Sequence, residues 1–319
     1  MANIKDIARI AGVSITTVSR VINGHPYVSE SKREAVLRAM KEADYERNIN
    51  AVHLIKGRTG LIGIMVPSIK RPYFALVVEG IAEEALRRGY KLVLIQTDYE
   101  EERELEALRM LKHKQIDGLI VCSKTSGWSA FETYLEYGPI VAFEDARGSR
   151  VPSIFIDHYR AFTEALDYLW DKGHRRIGFC LARRSGTSSR QRIEAYRDFL
   201  IRKRRPFEES CVFDDTIHVE DGGPVVERLL DMQHPPTALL VTSDQVAAGI
   251  LARCRELELE VPRRLALVAF DDQPLARVLG ITTFAIPLQE IGAKLFRQVL
   301  EGGAGHTEIP VRMIERGTV

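Results

Sequence analysis

Apolar positions in this chain follow two periods, one after the other. Ile4, Ile7, Ala8 and Ala11 fall at i, i+3, i+4 and i+7 and line one face of a short helix. Gly12 can close that helix with positive φ, and Ser14 stands where it can cap a second. In the second helix Val18 and Ile22 lie one turn apart and face inward. Ser29 to Ala43 supplies a third helix, with Val36, Leu37, Met40 and Ala43 inward. Residues 47–56 form a short amphipathic segment; at about ten residues such a helix is marginal alone and needs a partner helix or DNA. Gly57-Arg58-Thr59-Gly60 is a linker.

From Leu61 the pattern becomes alternating strands and helices. Leu61 to Pro67, Lys91 to Ile95, Gly118 to Cys122 and Ile140 to Phe143 are short apolar runs of the kind buried in parallel sheets. Between them Phe74 to Arg88, Glu101 to Lys114 and Trp128 to Tyr137 have helical period. After a brief strand-like Ile154-Phe155-Ile156 the rhythm restarts. Helices over Tyr159 to Lys172, Arg190 to Lys203, Gly223 to Met232 and Ala247 to Leu257 accompany strands over Arg176 to Leu181, Ala238 to Thr242 and Leu265 to Phe270. Strict alternation predicts parallel sheets with right-handed crossovers, and the restart predicts two of them. The expected fold class is a small all-α helix-turn-helix headpiece followed by an α/β core of two doubly wound parallel-sheet subdomains.

Chemistry sharpens the reading of the second helix. Ile15, Thr16 and Arg20 share a face away from Val18 and Ile22. A small, polar face ending in a guanidinium suits the DNA major groove, where an Arg fork can grip guanine O6 and N7. The net charge of +1 says nothing about nucleic acid, but its distribution does. Residues 1–58 hold ten Lys and Arg against six Asp and Glu; the remainder holds 35 against 38. A basic tip on a mildly acidic body fits a DNA-binding head on a sensing body. Cys122, Cys180, Cys211 and Cys254 lie far apart, without metal-ligand spacing. Residues 1–23 interleave polar and apolar residues without the apolar core of a secretory segment, and no apolar run nears the ~20 residues that cross a bilayer, so the expected location is cytoplasmic. No nucleophile elbow, phosphate-binding loop or dinucleotide fingerprint is present, so neither an enzyme nor a cofactor or metal site is expected.

Ligands of open α/β sheets bind beyond the C-terminal ends of the strands. That rule selects Glu144, Asp157, Asp244 and Asp271, each just after a strand, with Arg192 on the helix after the Arg183-Arg184-Ser185-Gly186-Thr187 loop. Carboxylates and a guanidinium can hydrogen-bond the hydroxyls of a sugar, while Tyr73 and Phe74 can stack on its apolar face. Asp157 and Asp244 have a second reading, as caps of the helices that follow them. The arginines of the loop also admit a phosphorylated effector.

The headpiece closely resembles that of the LacI/GalR family of bacterial transcription regulators. The matching residues are Ile4, Asp6, Ala8, Ala11 to Ser14, Thr17 to Val21, Asn23-Gly24, Val28-Ser29, Arg33, Val36, Tyr45, Asn48, Ala51 and Leu54. Further on, Gly89-Tyr90, Asp117-Gly118, Ile156-Asp157, Gly173-His174-Arg175, Pro236-Thr237-Ala238, Val261-Pro262, Phe270-Asp271-Asp272 and Thr282-Thr283 resemble its periplasmic-binding-protein-like core. The resemblance implies a headpiece over 1–46, a hinge helix and linker over 47–60, an N-subdomain over 61–158 plus 288–319, and a C-subdomain over 159–287. It implies a homodimeric repressor that binds double-stranded operator DNA through Ile15, Thr16, Thr17, Ser19, Arg20 and Asn23. Hinge residues Asn50, His53 and Leu54 would enter the minor groove, with Leu54 wedged between base pairs. It also implies a small-molecule effector, a sugar or sugar phosphate, held by Arg192 and Asp271 in a pocket lined by Tyr73, Phe74 and Glu144. The chain departs from the family at Arg47, Val52, Ala195 and Ser243, where Pro, Arg or Gln, Gly and Asn are usual.

Two other classes remain to be set against this reading. A solute-binding receptor would share the two-subdomain core but not the headpiece. A doubly wound sugar-active enzyme without a DNA role would need a catalytic motif and would turn over sugars.

Overall fold

The computed structural model describes residues 2–45 and 57–319, and the chain divides into two compact units, Met1–Thr59 and Gly60–Val319. In the first, α1 (Ile4–Ala11), α2 (Ile15–Ile22) and α3 (Glu30–Glu42) close around Ile7, Ala8, Val18, Val21, Val36 and Ala39, all buried. Each start and turn has a local cause. Asn3 accepts from the Lys5 and Asp6 amides while Asp6 accepts from the Asn3 amide, a reciprocal cap. Gly12 ends α1 at φ 64°, and Ser14 accepts from the Thr17 amide at 3.1 Å to start α2. The inward set differs from expectation at two places. Leu37 is 52% exposed, because Val36, Ala39, Met40 and Ala43 complete the i, i+3, i+4, i+7 stripe and Leu37 falls beside it. Likewise Val21 is fully inward on α2, while Ile22 is only partly covered.

The second unit holds two six-stranded sheets. Its strands are β1 (Leu61–Val66), β2 (Lys91–Gln96), β3 (Gly118–Val121), β4 (Ile140–Ala142), β5 (Ser153–Phe155), β6 (Ile177–Cys180), β7 (Val212–Phe213), β8 (Ala238–Val241), β9 (Ala266–Asp271), β10 (Thr282–Ala285), β11 (His306–Glu308) and β12 (Arg312–Ile314). The first sheet runs β11-β5-β4-β3-β1-β2 and the second β12-β10-β9-β8-β6-β7. Every pairing is parallel except β10 with β12. Central strands β3, β4, β6 and β8 are buried throughout, which is why they are apolar at successive positions rather than alternately.

Helices α4 (Pro72–Arg87), α5 (Glu101–Lys112) and α6 (Trp128–Glu132) alternate with the strands of the first sheet. Those of the second unit's other half are α7 (His158–Asp171), α8 (Thr187–Arg202), α9 (Gly222–Leu230), α10 (Asp244–Glu256) and α11 (Pro274–Leu279). The last, α12 (Leu288–Glu301), returns to pack on α4. That crossing is glycine-dependent: a Cβ on Gly292 would stand 2.1 Å from the Val77 carbonyl oxygen, and one on Gly80 1.9 Å from that of Gln289.

The chain crosses between sheets after β5, after β10 and after β11. The last crossing corrects the expected assignment of 288–319 to the first subdomain. β12 pairs antiparallel with β10, and the Thr318 hydroxyl donates to Leu267 O at 2.8 Å and accepts from the Thr282 amide at 2.9 Å. Residues 312–319 therefore belong with the second sheet. The expected helix over Trp128 to Tyr137 stops at Glu132, and the one expected from Arg190 begins three residues earlier, at Thr187. No helix among the described residues is long and apolar enough to cross a membrane.

Candidate functional site

On α2 the residues expected to face DNA are not equivalent. Ile15 is 46% exposed despite being apolar, and Thr16, Arg20 and Asn23 are exposed with it. Thr17 and Ser19 are half-buried and engaged within the helix. The Thr17 hydroxyl lies 2.9 Å from Ser14 Oγ, and Asn23 Nδ2 donates to Ser19 Oγ at 3.4 Å. The outward face thus consists of one apolar and three polar side chains, one of them a guanidinium. Asn50, His53 and Leu54 lie outside the described residues.

In the second unit the C-terminal ends of both sheets open on one cleft, with a cavity of about 140 Å³. That is room for several waters or a small polar ligand. Tyr73 and Phe74 enter from α4, Glu144 from the end of β4, Arg192 from α8 and Asp271 from the end of β9. The Tyr73 ring stacks on Phe143 with centroids 5.7 Å apart and planes 11° apart, and meets Phe74 edge-on at 5.2 Å. Burial, and next the negative Asp271, push the Tyr73 hydroxyl well above its usual range, so it stays a neutral donor.

Glu144 accepts from Ser123 Oγ at 2.8 Å within its own half and from Thr187 Oγ1 at 3.3 Å across the cleft. Gln191 reaches Asp145 across the same gap at 2.8 Å. At the mouth Arg183 lies 3.5 Å over the Tyr99 ring and donates to Lys124 O at 2.9 Å and Thr125 Oγ1 at 3.1 Å. Because α8 starts at Thr187, its first turn, with Gly186, Thr187, Ser188 and Ser189, lines the wall.

One buried carboxyl lines the cleft and a second stands behind it. Asp271 is 5% exposed and sits at φ 110°, a conformation that side chains rarely adopt and that costs on the order of 1–3 kcal/mol. Its Oδ2 accepts from Gln273 Nε2 at 2.9 Å. Behind it Asp244 is fully buried, accepting from Thr283 Oγ1 and the Gln273 amide, both at 2.7 Å. Gln245 Nε2 in turn holds Gln273 Oε1 at 2.8 Å. Burial raises both carboxyls, Asp244 to about 7 and Asp271 well above the usual range, the latter also through the charge of Asp244. Arg192 approaches the His158 Nδ1 at 3.2 Å through Nη2 and lies 5.6 Å from the Phe270 ring centroid; its Nε is buried without a hydrogen bond.

Five of the seven expected cleft residues therefore meet around one cavity: Tyr73, Phe74, Glu144, Arg192 and Asp271. The other two do not line it. Asp157 caps α7, accepting from the Arg160 amide at 2.8 Å, which was the second reading of that residue. Asp244 neither lines the cavity nor caps α10, whose N-cap is Ser243; both its oxygens are occupied by Thr283 and Gln273. Sequence reasoning missed His158, Gln245, Gln273 and Tyr99 as wall residues, while Arg183, from the loop expected to admit a phosphorylated effector, does line the cavity. Three of these directly follow or flank a selected strand end, so widening that rule by two residues would have found them. Among the described residues no cluster of His, Cys, Asp and Glu has the arrangement to hold a metal ion.

Comparison with known proteins gives the arrangement a context. Residues 3–48 match the sequence profile described as bacterial regulatory proteins, lacI family, and residues 59–316 that of periplasmic binding proteins and sugar binding domain of LacI family. The chain is 43% identical over the full length of both proteins to the uncharacterized HTH-type transcriptional regulator YkvZ of Bacillus subtilis (strain 168). It is 35% identical to NtdR of the same organism, the NTD biosynthesis operon regulator, covering all of this chain and 98% of NtdR. The Lac repressor dimer, crystallised with operator and the anti-inducer ONPF, superposes with a TM-score of 0.82 at 24% identity over 99% of this chain and 98% of the repressor chain.

Proposed function

The chain belongs to the LacI family of DNA-binding transcriptional regulators, and from that premise we propose that it is a repressor whose hold on operator DNA is set by a sugar or sugar phosphate bound in the cleft. The observation that carries this reading is the two-sided cleft. Tyr73, Phe74 and Glu144 stand on one half of the core, and Arg192 and Asp271 on the other. An occupant that touches both walls favours one angle between the halves over another. Through that difference in affinity, and only through it, ligand and operator binding become linked. Stacked aromatics with hydrogen-bonding carboxyls and a guanidinium suit a carbohydrate, apolar on one face and rimmed by hydroxyls.

On the DNA side, Ile15, Thr16 and Arg20 read base edges in the major groove, with Asn23, Thr17 and Ser19 supporting at the helix ends and backbone. Asn50, His53 and Leu54 serve the minor groove at the operator centre. The functional unit is a homodimer on a pseudo-palindromic operator in the cytoplasm; the Lac repressor fold neighbour was crystallised as a dimer bound to operator.

A thermal-shift panel of sugars and sugar phosphates, followed by operator titrations with each hit, tests the proposal. A hit that raises Tm should also change operator Kd severalfold. A carbohydrate that stabilises the protein while leaving operator affinity unchanged refutes the linkage, and turnover of a sugar would favour the enzyme instead.

A further inference from the structure

We propose that His158 is a further ligand-binding residue: Arg192 holds its Nδ1, and its Nε2–H is offered to an oxygen of the bound molecule. This rests on the cleft being the effector site. His158 is the first residue of α7, where the chain leaves the first sheet for the second, and it lines the same cavity as Arg192 and Asp271.

The donor assignment follows from Arg192. A guanidinium has only donors, so at 3.2 Å from Arg192 Nη2 the His158 Nδ1 must be the acceptor. A neutral imidazole then carries its proton on Nε2. Burial, and next the Arg192 cation, hold the ring well below its usual titration range, so it remains neutral. The other titratable and charged groups lining this cavity are Arg71 and Tyr73 at the start of α4, Tyr99 after β2, Cys122 after β3, Glu144 and Asp145 after β4, Arg183 before α8, and Asp271 at the end of β9.

Beside this ring lies the unpartnered, buried Arg192 Nε–H. Leaving such a donor unmet is unfavourable, so a ligand oxygen that reaches it gains more than it would in water. Two N–H donors at one end of the cavity, with the Asp271 carboxyl nearby, select a hydroxyl or ring oxygen there. An ammonium group would meet a cation and two donors and is disfavoured. The ligand is therefore expected to present oxygen, not nitrogen, at this end.

The test uses the full-length protein with 15N-labelled histidine and arginine. Long-range proton–nitrogen correlation spectra near neutral pH, assigned with His158→Asn, should show His158 in the Nε2–H tautomer. A protonated ring or the Nδ1–H tautomer overturns the proposal before any ligand is added. D-glucose, D-glucosamine and D-glucose 6-phosphate are then titrated separately. A binder should shift His158 Nε2 and Arg192 Nε together. A binder that shifts Arg192 but not His158 overturns the proposal and leaves the cleft reading intact. Silence at both residues with all three overturns the carbohydrate reading and the donor role with it.

His158→Asn separates the two roles, because its carbonyl can still accept from Arg192 while the Nε2 donor is gone. It should keep the Arg192 signal in place yet bind the probe about tenfold more weakly, the worth of one neutral hydrogen bond. Wild-type affinity in that variant overturns the proposal.

Discussion

Replacing Asp244 by asparagine should make the protein more stable above neutral pH and less stable in acid. Asp244 is fully buried, and burial raises its carboxyl to about 7, against about 3.9 in an unfolded chain. Between those values the native state holds a proton that the unfolded state has released. The contribution of Asp244 to stability must therefore fall as pH rises from about 4 to about 7, and stay level beyond. Three pH units at about 1.4 kcal/mol each make a loss of about 4 kcal/mol. Asparagine resembles the protonated acid: its oxygen can accept from the Gln273 amide and its amide can donate to the Thr283 hydroxyl, the two partners present in the wild type. One amide hydrogen is left without a partner, at about 1–3 kcal/mol. The variant should thus exceed wild type by about 2 kcal/mol at pH 8 and lose that advantage near pH 5. Urea unfolding of both proteins across this range gives the difference curve, in which groups that do not interact with Asp244 cancel and Asp271, which does, adds its response at higher pH. Parallel curves, with the variant weaker throughout, would show that Asp244 is ionised and paired in the native state.

Three further outcomes are expected. Arg20→Ala should cost on the order of 1–3 kcal/mol of operator binding and relax preference at one base pair per half-site in a randomised-operator selection; unchanged preference removes α2 from the groove. Gly292→Ala should destabilise the fold by about 3 kcal/mol in urea titrations, because its methyl meets the Val77 carbonyl and α12 must move off α4; wild-type stability would mean the helix pair yields freely. Leu54→Ala should weaken specific operator binding strongly while sparing salt-dependent non-specific binding, read by gel shift at two salt concentrations; equal affinity on the operator excludes insertion at the operator centre.

The sequence was most legible where one physical cause dominated. Buried parallel strands such as Gly118–Val121 and Ala238–Val241 leave unbroken apolar runs, and caps such as Gly12 and Ser14 mark helix ends by type alone. Strands β7, β10, β11 and β12, two to four residues long, leave no usable period, and their partners lie far away in sequence. For that reason the last crossing, which returns residues 312–319 to the second sheet, was misassigned. In the cleft the strand-end rule found the groups that end strands, Glu144 and Asp271. It could not tell an acid facing the cavity from one facing the protein. Asp244 follows β8 as Glu144 follows β4, yet Thr283 and Gln273, 39 and 29 residues away, take up its oxygens. His158 escaped notice because its role depends on Arg192, 34 residues on.

The most direct test of ligand-controlled DNA binding compares wild type with Arg192→Ala. Operator affinity is measured for each protein with and without the carbohydrate that gives wild type its largest thermal shift. Wild type should change its operator Kd severalfold on adding the sugar, whereas Arg192→Ala should bind operator as ligand-free wild type does and not respond. A variant that still responds in full would contradict the account, because a cleft residue with a buried, unmet hydrogen-bond donor would then have no part in sensing.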